Sequence, residues 1–252
     1  MLIKDVAICI RAIDYSETSQ IVTFFARMTG KVSAIVKGAK RLKSAFDGPV
    51  EVFSTGRIVF SQKGEENLAT LTEFEQQPHF RQLTNNLLAM NCSLFGAELV
   101  NSLTDEFDPH PELFDRFFQF LHNISEIQSA GDRSQATIAL LILFQLALLK
   151  ETGLQPILDY CVNCKTKYGM RTNKSESYFS SAANGLICRD CEISFPDRIR
   201  ITEQTACCLN NINLMAAADK KTFNDIEQLL VYHFAEILHH TPRMAKYIID
   251  RS

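Results

Sequence analysis

Two Cys-x-x-Cys pairs, Cys161/Cys164 and Cys188/Cys191, stand 23 residues apart at the ends of the polar stretch CVNCKTKYGMRTNKSESYFSSAANGLICRDC. Thiolates are soft ligands, and two such turns brought together make a closed tetrahedral Zn²⁺ site with sulfur–metal distances of about 2.3 Å. The spacing predicts a structural zinc on all four, with a hairpin between the pairs whose turn is Asn184-Gly185. Two other readings compete. Four free thiols in a loop is the plainest, and a redox Cys-x-x-Cys needs only one pair at a strand-to-helix junction, which neither pair occupies. A catalytic zinc of the nucleobase deaminase type would take its H-x-E from His110-Pro111-Glu112. It fails because Tyr160 rather than Pro precedes Cys161, and because four thiolates leave no position open for water. Cys9, Cys92, Cys207 and Cys208 fall in apolar or helical segments and read as small core residues.

A second cluster is electrostatic. Lys37, Lys40, Arg41 and Lys43 fall within KGAKRLK with no acid among them, although the whole chain carries a formal charge of −3. Residues 1–80 hold 10 Lys and Arg against 9 Asp and Glu, residues 81–150 hold 4 against 8, and residues 151–252 hold 12 against 12. A bunched basic run counts for more than net charge when the partner is a polyanion. Lys31 and Arg57, on neighbouring strands, are weaker additions to the same expected surface. No phosphate-binding P-loop, G-x-S-x-G or H-E-x-x-H is present, so the sequence offers no NTPase, serine hydrolase or zincin machinery.

The elements that must position these residues come in three styles. Residues 1 to about 77 alternate like strands, in VAICIRAI, SQIVTFFAR, KVSAIVKG, VEVFSTGRIVF and NLATLTEF. Five short strands suit a Greek-key barrel of the oligonucleotide/oligosaccharide-binding (OB) kind, with an SH3-like barrel of similar size as the alternative. Alternation buries most of Phe24, Phe25, Phe53 and Phe60, and leaves Phe46, in the basic loop, as the aromatic expected to face solvent. From Pro78 the period becomes helical: Leu83, Leu87, Met90, Leu94, Ala97 and Leu103 share a face, PELFDRFFQFLHNI follows, and ATIALLILFQLALLKETG is apolar nearly all round, the mark of a central buried helix. After the cysteines, TEQTACCLNNINLMAA opens with a Thr202 cap, and Phe223, Ile226, Leu230, Phe234 and Ile237 line one face of a last helix. The expected layout is α+β and multidomain. An OB-fold nucleic-acid-binding domain over 1–78 precedes an α-helical domain over 79–252, itself interrupted by a zinc-binding insertion over 157–200 that carries the four paired cysteines.

At 252 residues and 46% apolar content the chain can bury a substantial core. Its first residues lack the features of a signal peptide, and the apolar run IALLILFQLALL is too short to span a bilayer and contains Gln145. These features predict a cytoplasmic protein with no membrane partner, in a compartment where paired thiols bind metal rather than each other.

The barrel carrying AIVKGAKRLKSAFDGPVEVF, the helical region, and the runs ETGLQPILDYCVNC and YFSSAANGLICRDC together resemble the bacterial RecO family of recombination mediators, over essentially the whole chain. The resemblance implies a non-enzymatic DNA repair protein of the RecF pathway, at work in the cytoplasm and associated with the nucleoid. Such a protein binds single- and double-stranded DNA, anneals complementary strands, binds the C-terminal tail of the single-strand-binding protein SSB, and with RecR helps RecA load. Lys31, Lys37, Lys40, Arg41, Lys43 and Arg57 are then the expected DNA-binding residues. The competing expectation is an RNA-binding or protein-interaction module that uses the same barrel and zinc loop as rigid platforms.

Overall fold

The computed structural model describes residues 2–41, 46, 48–62, 68–77, 80–127, 134–168 and 176–249. Five strands, β1 (Leu2–Asp14), β2 (Gln20–Ala26), β3 (Gly30–Val36), β4 (Thr55–Ser61) and β5 (Leu68–Phe74), close a barrel in the order β1-β2-β3-β5-β4. This OB-like closure depends on the length of β1. Its C-terminal part pairs antiparallel with β2, its N-terminal part pairs with β4, and a register shift between Cys9 and Arg11 lets the strand bend from one neighbour to the other. β3 and β5 run parallel and complete the ring. The interior follows the two-residue period: Val22, Phe24, Ala26, Val32, Ala34 and Val36 point inward with Ile58, Phe60 and Leu71.

Phe46 belongs to that interior as well. It is 9% exposed and packs in the barrel core with Val50 and Ala39, which corrects the expectation that it faces solvent. A phenylalanine that can plug the end of a small barrel gains more by leaving water than by staying on a polar loop.

Among the described residues, five α-helices follow: α1 (Leu87–Leu103), α2 (Pro111–Ile127), α3 (Ser134–Glu151), α4 (Glu203–Asn210) and α5 (Lys220–Leu238). Their contacts divide the chain into two compact units, residues 1–132 and 133–252, so the helical region contributes to both. In the first unit, the continuous helical face expected from Leu83 onward is broken. Residues 81–85 form a 3-10 turn, Asn86 caps α1 by accepting from the amide of Ala89, and Leu87, on the exposed side of the first turn, is 77% exposed. α2 lays Phe114 and Phe117 against Phe25 on the outside of β2, with ring centroids 6.0 and 6.4 Å away.

In the second unit, α3 packs against α5. By length and composition α3 could cross a membrane. Its buried Gln145, bonded to Glu227 of α5, marks it instead as a core helix of this unit. It is not buried all round: Leu143 is exposed while Leu141, Ile142, Phe144, Leu148 and Leu149 are enclosed. α4 is shorter than the apolar pattern predicts, because Asn211 ends it and residues 212–217 tighten into a 3-10 turn. Thr202 caps it by accepting from the amide of Thr205, as its sequence position predicts. Between α3 and α4 stands a three-stranded sheet in the order β7-β6-β8, made of β6 (Ser177–Ser180), β7 (Gly185–Cys188) and β8 (Ile199–Ile201).

Candidate metal centre and nucleic-acid interface

The two cysteine pairs are carried by different local structures. Cys161 and Cys164 lie on a tight turn in which the amide of Cys161 donates to Thr166 O at 2.9 Å and the amide of Lys165 donates to Cys161 O at 3.0 Å, with Lys165 itself left-handed at φ 61°. Cys188 ends β7, and Cys191 sits in the 3-10 turn Arg189–Ser194 that follows. The β6–β7 hairpin delivers the second pair to the first. Its turn is the four residues 181–184, with Asn184 left-handed at φ 52° and Gly185 already the first residue of β7, so the reversal falls just before the expected Asn-Gly centre. A Cβ at Gly185 would stand 2.5 Å from the carbonyl oxygen of Ile157 and 2.7 Å from Val162 Cγ1, so only glycine allows the hairpin to lie against the cysteine turn.

All four sulfurs lie within 4.8 Å of one another, and Cys164 Sγ and Cys188 Sγ are 3.6 Å apart. Sulfurs about 2.3 Å from one tetrahedral centre would be about 3.8 Å apart, so the cluster fits a single ion. The amide of Cys188 donates to Cys161 Sγ at 3.4 Å, the kind of N–H support that a thiolate ligand needs. Cys161, Cys188 and Cys191 are buried and Cys164 is exposed. Hydrogen bonding with Thr166 lowers the Cys164 thiol from its ordinary value, whereas burial raises that of Cys188. A cation bound among them would compensate the charge of thiolates held this close together. Among the described residues, the apolar cluster around them consists of Tyr178 and Ile187, with Val162, Tyr168 and Phe195 partly buried, a core too small to hold the lobe without a crosslink. Four clustered cysteines of this kind can hold a metal ion, and no histidine joins the cluster among the described residues.

The basic residues separate into two groups. Lys37, Lys40 and Arg41 follow β3 at the end of the barrel where β2 begins, since Gln20 pairs with Val36. Lys37 and Arg41 are exposed. Lys40 is half-buried, its ammonium pairing with Asp14 and its amide donating to Thr18 O at 3.2 Å. Gly38, left-handed at φ 74°, makes the bend that turns the segment off the barrel. Lys43 lies outside the described residues.

Lys31 is six residues back along β3, about 20 Å at 3.3 Å per residue. Its ammonium donates to the carbonyls of Asn101 at 2.7 Å and Thr104 at 2.5 Å, occupying the negative end of α1. Arg57 lies opposite Val6 on β4, 3.8 Å from Glu75, and does not join the Lys37 group. Sequence proximity could not separate these positions, because the separation comes from the register and from a helix end that folding brings to β3.

The outer side of the end of β1, together with Tyr15 just beyond it, is not marked by the sequence motifs. Arg11, Ile13 and Tyr15 alternate with the inward-facing Ala12, and Tyr15 is 64% exposed beside the basic turn. The two-residue period after Arg11 was the available signal.

The family model for the Recombination protein O N terminal matches residues 1–78, and that for the Recombination protein O C terminal matches residues 84–244. The DNA repair protein RecO of Halalkalibacterium halodurans is 31% identical over 206 residues, which cover 82% of this chain and 75% of that one. Its counterpart in Bacillus pumilus is 28% identical over 243 residues, covering 94% and 89%, and that of Bacillus subtilis is 32% identical over 206 residues, covering 82% and 75%. Barrel, helical region and cysteine cluster thus occur in one chain matched along nearly its whole length, and this chain belongs to the RecO family of DNA repair proteins.

Proposed function

We propose that this RecO family protein is a recombination mediator that works without covalent turnover. It binds single- and double-stranded DNA, anneals complementary strands, holds the C-terminal tail of SSB, and with RecR helps RecA load onto SSB-coated strands. With DNA as its ligand it acts in the bacterial cytoplasm, associated with the nucleoid. Residues 1–78 serve as the nucleic-acid-binding domain.

The observation that carries this reading is the basic segment at one end of a closed OB-like barrel, in which Lys37 and Arg41 are exposed and Lys40 is half-buried against Asp14, with Lys43 further along the sequence. Cations that neutralise phosphates release condensed counterions and bind every sequence alike. Annealing needs that kind of grip: screening the repulsion between two strands while leaving base edges free lowers the barrier to pairing. Lys31 and Arg57 are secondary in this reading, since one ammonium is committed to a helix end and one guanidinium stands beside Glu75.

In the same reading the four cysteines hold one structural Zn²⁺, which supplies the crosslink that fixes the β6–β7 hairpin against the Cys161 turn. The donor set is closed, so the ion gives shape to the lobe and takes no part in a reaction.

A strand-annealing assay on SSB-coated complementary oligonucleotides tests the function. Lys37→Glu with Arg41→Glu is the informative variant, because both side chains are exposed and neither carries the barrel. It should weaken binding to all DNA sequences alike and flatten the slope of log K against log salt by about one per lost phosphate contact. Unchanged binding and unchanged annealing would refute the reading.

A further inference from the structure

The outer face of β1, β2 and β3 is covered at one end and open at the other. Toward the covered end, Phe25 lies under Phe114 and Phe117, the amide and hydroxyl of Ser33 donate to the Glu106 carboxylate at 3.0 and 2.7 Å, and Lys31 is bound to the end of α1. Toward the open end the registers Ile13↔Ile21 and Ile21↔Ile35 line up three isoleucines across three strands. Ile13 is 42% exposed, and Ile21 and Ile35 are half-buried. Exposed Arg11 flanks this row on one side, and Tyr15 and Lys37 flank it on the other.

Tyr15 is held in place although it is 64% exposed. Its amide donates to Ser19 O at 3.0 Å, which prolongs the β1–β2 ladder by one rung, and the Lys40 amide ties the same turn to the basic segment through Thr18 O. The Lys40 ammonium pairs with Asp14, the residue before Tyr15. An apolar and aromatic strip is thereby fixed beside the segment that carries the exposed Lys37 and Arg41, with exposed Arg11 on its other side, while the Lys40 charge is taken up by Asp14. The acids of the β1–β2 turn beside it are Asp14, already neutralised by Lys40, and Glu17.

We propose that Tyr15, with the Ile13–Ile21–Ile35 row, forms a platform on which unpaired bases stack while the neighbouring cations take their phosphates, so that this end of the barrel distinguishes single strands from duplex. The inference rests on the DNA-binding reading above and specifies where bases, rather than backbone, are touched. Charge complementarity commits the face to a polyanion, and an aromatic ring beside an apolar row suits a polyanion that carries flat unpaired rings. A duplex keeps its base faces inside the stack and can meet only the cations. Any unpaired base has such a face, so the platform is indifferent to sequence.

The test compares Tyr15→Ala, Tyr15→Phe and Lys37→Glu/Arg41→Glu on an oligothymidylate and on a duplex at one salt concentration. Stacking on an aromatic is worth about 5- to 150-fold in affinity per base. Tyr15→Ala should lose a factor in that range on the single strand and leave duplex binding unchanged, whereas Tyr15→Phe should retain both. The chain has six tyrosines and no tryptophan, so its emission is tyrosyl. Quenching by oligothymidylate should diminish in Tyr15→Phe although binding persists. Equal losses on both ligands, or no loss on the single strand, would overturn the platform even if charge reversal weakens both. Should charge reversal leave both ligands bound as before, the DNA-binding reading falls and the platform falls with it.

Discussion

Gln145 Nε2 donates to Glu227 Oε1 at 2.7 Å inside the core where α3 meets α5. Both side chains are essentially inaccessible, and burial pushes the Glu227 carboxyl from 4.5 up to about 8. Burial therefore favours the protonated acid over the carboxylate, as a carboxyl in an apolar helix interface requires. Because its folded value lies above its unfolded one, its contribution to stability is fully present below pH 4.5 and is lost as pH rises through about 8. Each pH unit within that window removes at most about 1.4 kcal/mol. Thermal unfolding of the wild type should show a midpoint that falls between pH 6 and 8.5. Glu227→Gln should flatten that slope, and an equally steep slope in the variant would contradict the assignment.

His233, nearly two turns further along α5, has the opposite sign. Burial pulls it from 6.5 down to about 4, its Nδ1 lies 2.7 Å from Ser181 Oγ, and its ring meets Phe179 edge-on at 5.2 Å. A base whose folded value is depressed contributes stability that is present above pH 6.5 and lost as pH falls through about 4. The Ser181 contact fastens the β6–β7 turn to α5, so acidification should loosen the hairpin first. Hydrogen exchange at pH 4 and pH 7 should show faster opening of residues 177–188 at the lower pH while the barrel strands remain protected. His233→Asn should remove most of that difference.

Lys31 makes a prediction that separates structure from binding. Its ammonium sits on the carbonyls of Asn101 and Thr104, which otherwise end α1 without partners. Hydrogen bonds from charged groups contribute about 1.5–3 kcal/mol, and this partly exposed site belongs at the lower end of that range. Lys31→Ala should lower the urea midpoint accordingly. It should change DNA affinity far less than Arg41→Glu, and a large affinity loss in a variant of normal stability would return Lys31 to the binding surface.

Removing the proposed zinc should affect one lobe selectively. A chelator that strips one metal equivalent should make Cys161, Cys164, Cys188 and Cys191 newly reactive, with Cys207 exposed and reactive throughout. The helical circular dichroism, which comes from α1 to α5, should persist. Protection of β6 and β7 should be lost, since their small core cannot hold them alone. A preparation with no bound metal whose four thiols remain unreactive would count against the site.

These outcomes depend unequally on what the sequence displays. The five strands are legible because short runs rich in β-branched and aromatic residues are separated by turn residues, with clean alternation in β3, and the cysteine pairs are legible because ligand spacing is a local constraint. What escapes is decided by contacts between distant segments. Phe46 reads as a loop aromatic until the barrel closes and offers it a place in the core. Lys31 looks like one more cation until Asn101 and Thr104 arrive from α1. α3 reads as apolar on every side, yet which part is enclosed depends on the angle at which α5 meets it. Cap residues lie between these cases. Thr202 is visible from its position before an apolar run, whereas Asn86 is hidden because leucines continue the helical pattern on both sides of it.

Gly185 offers the sharpest test of how backbone shape supports the cysteine cluster. It is the first residue of β7, three positions before Cys188, and its amide-bonded neighbours tie the two cysteine-bearing segments: Leu186 N donates to Ile157 O at 2.9 Å, and Val162 N donates to Leu186 O at 2.9 Å. A methyl at residue 185 would strike the same Ile157 carbonyl oxygen at 2.5 Å and Val162 Cγ1 at 2.7 Å. Because the first obstacle is backbone, relief requires the hairpin to move away from the Cys161 turn, and the sulfurs of Cys188 and Cys191 move with it. Gly185→Ala should therefore lose metal affinity by about one to two orders of magnitude, comparable to loss of a supporting outer-shell contact, although every ligand is intact. The barrel unit should unfold as in the wild type. Competition with a chromophoric chelator measures the first quantity and oligonucleotide binding the second, and an alanine variant with wild-type metal affinity would show that the close approach at Gly185 does not hold the two pairs together.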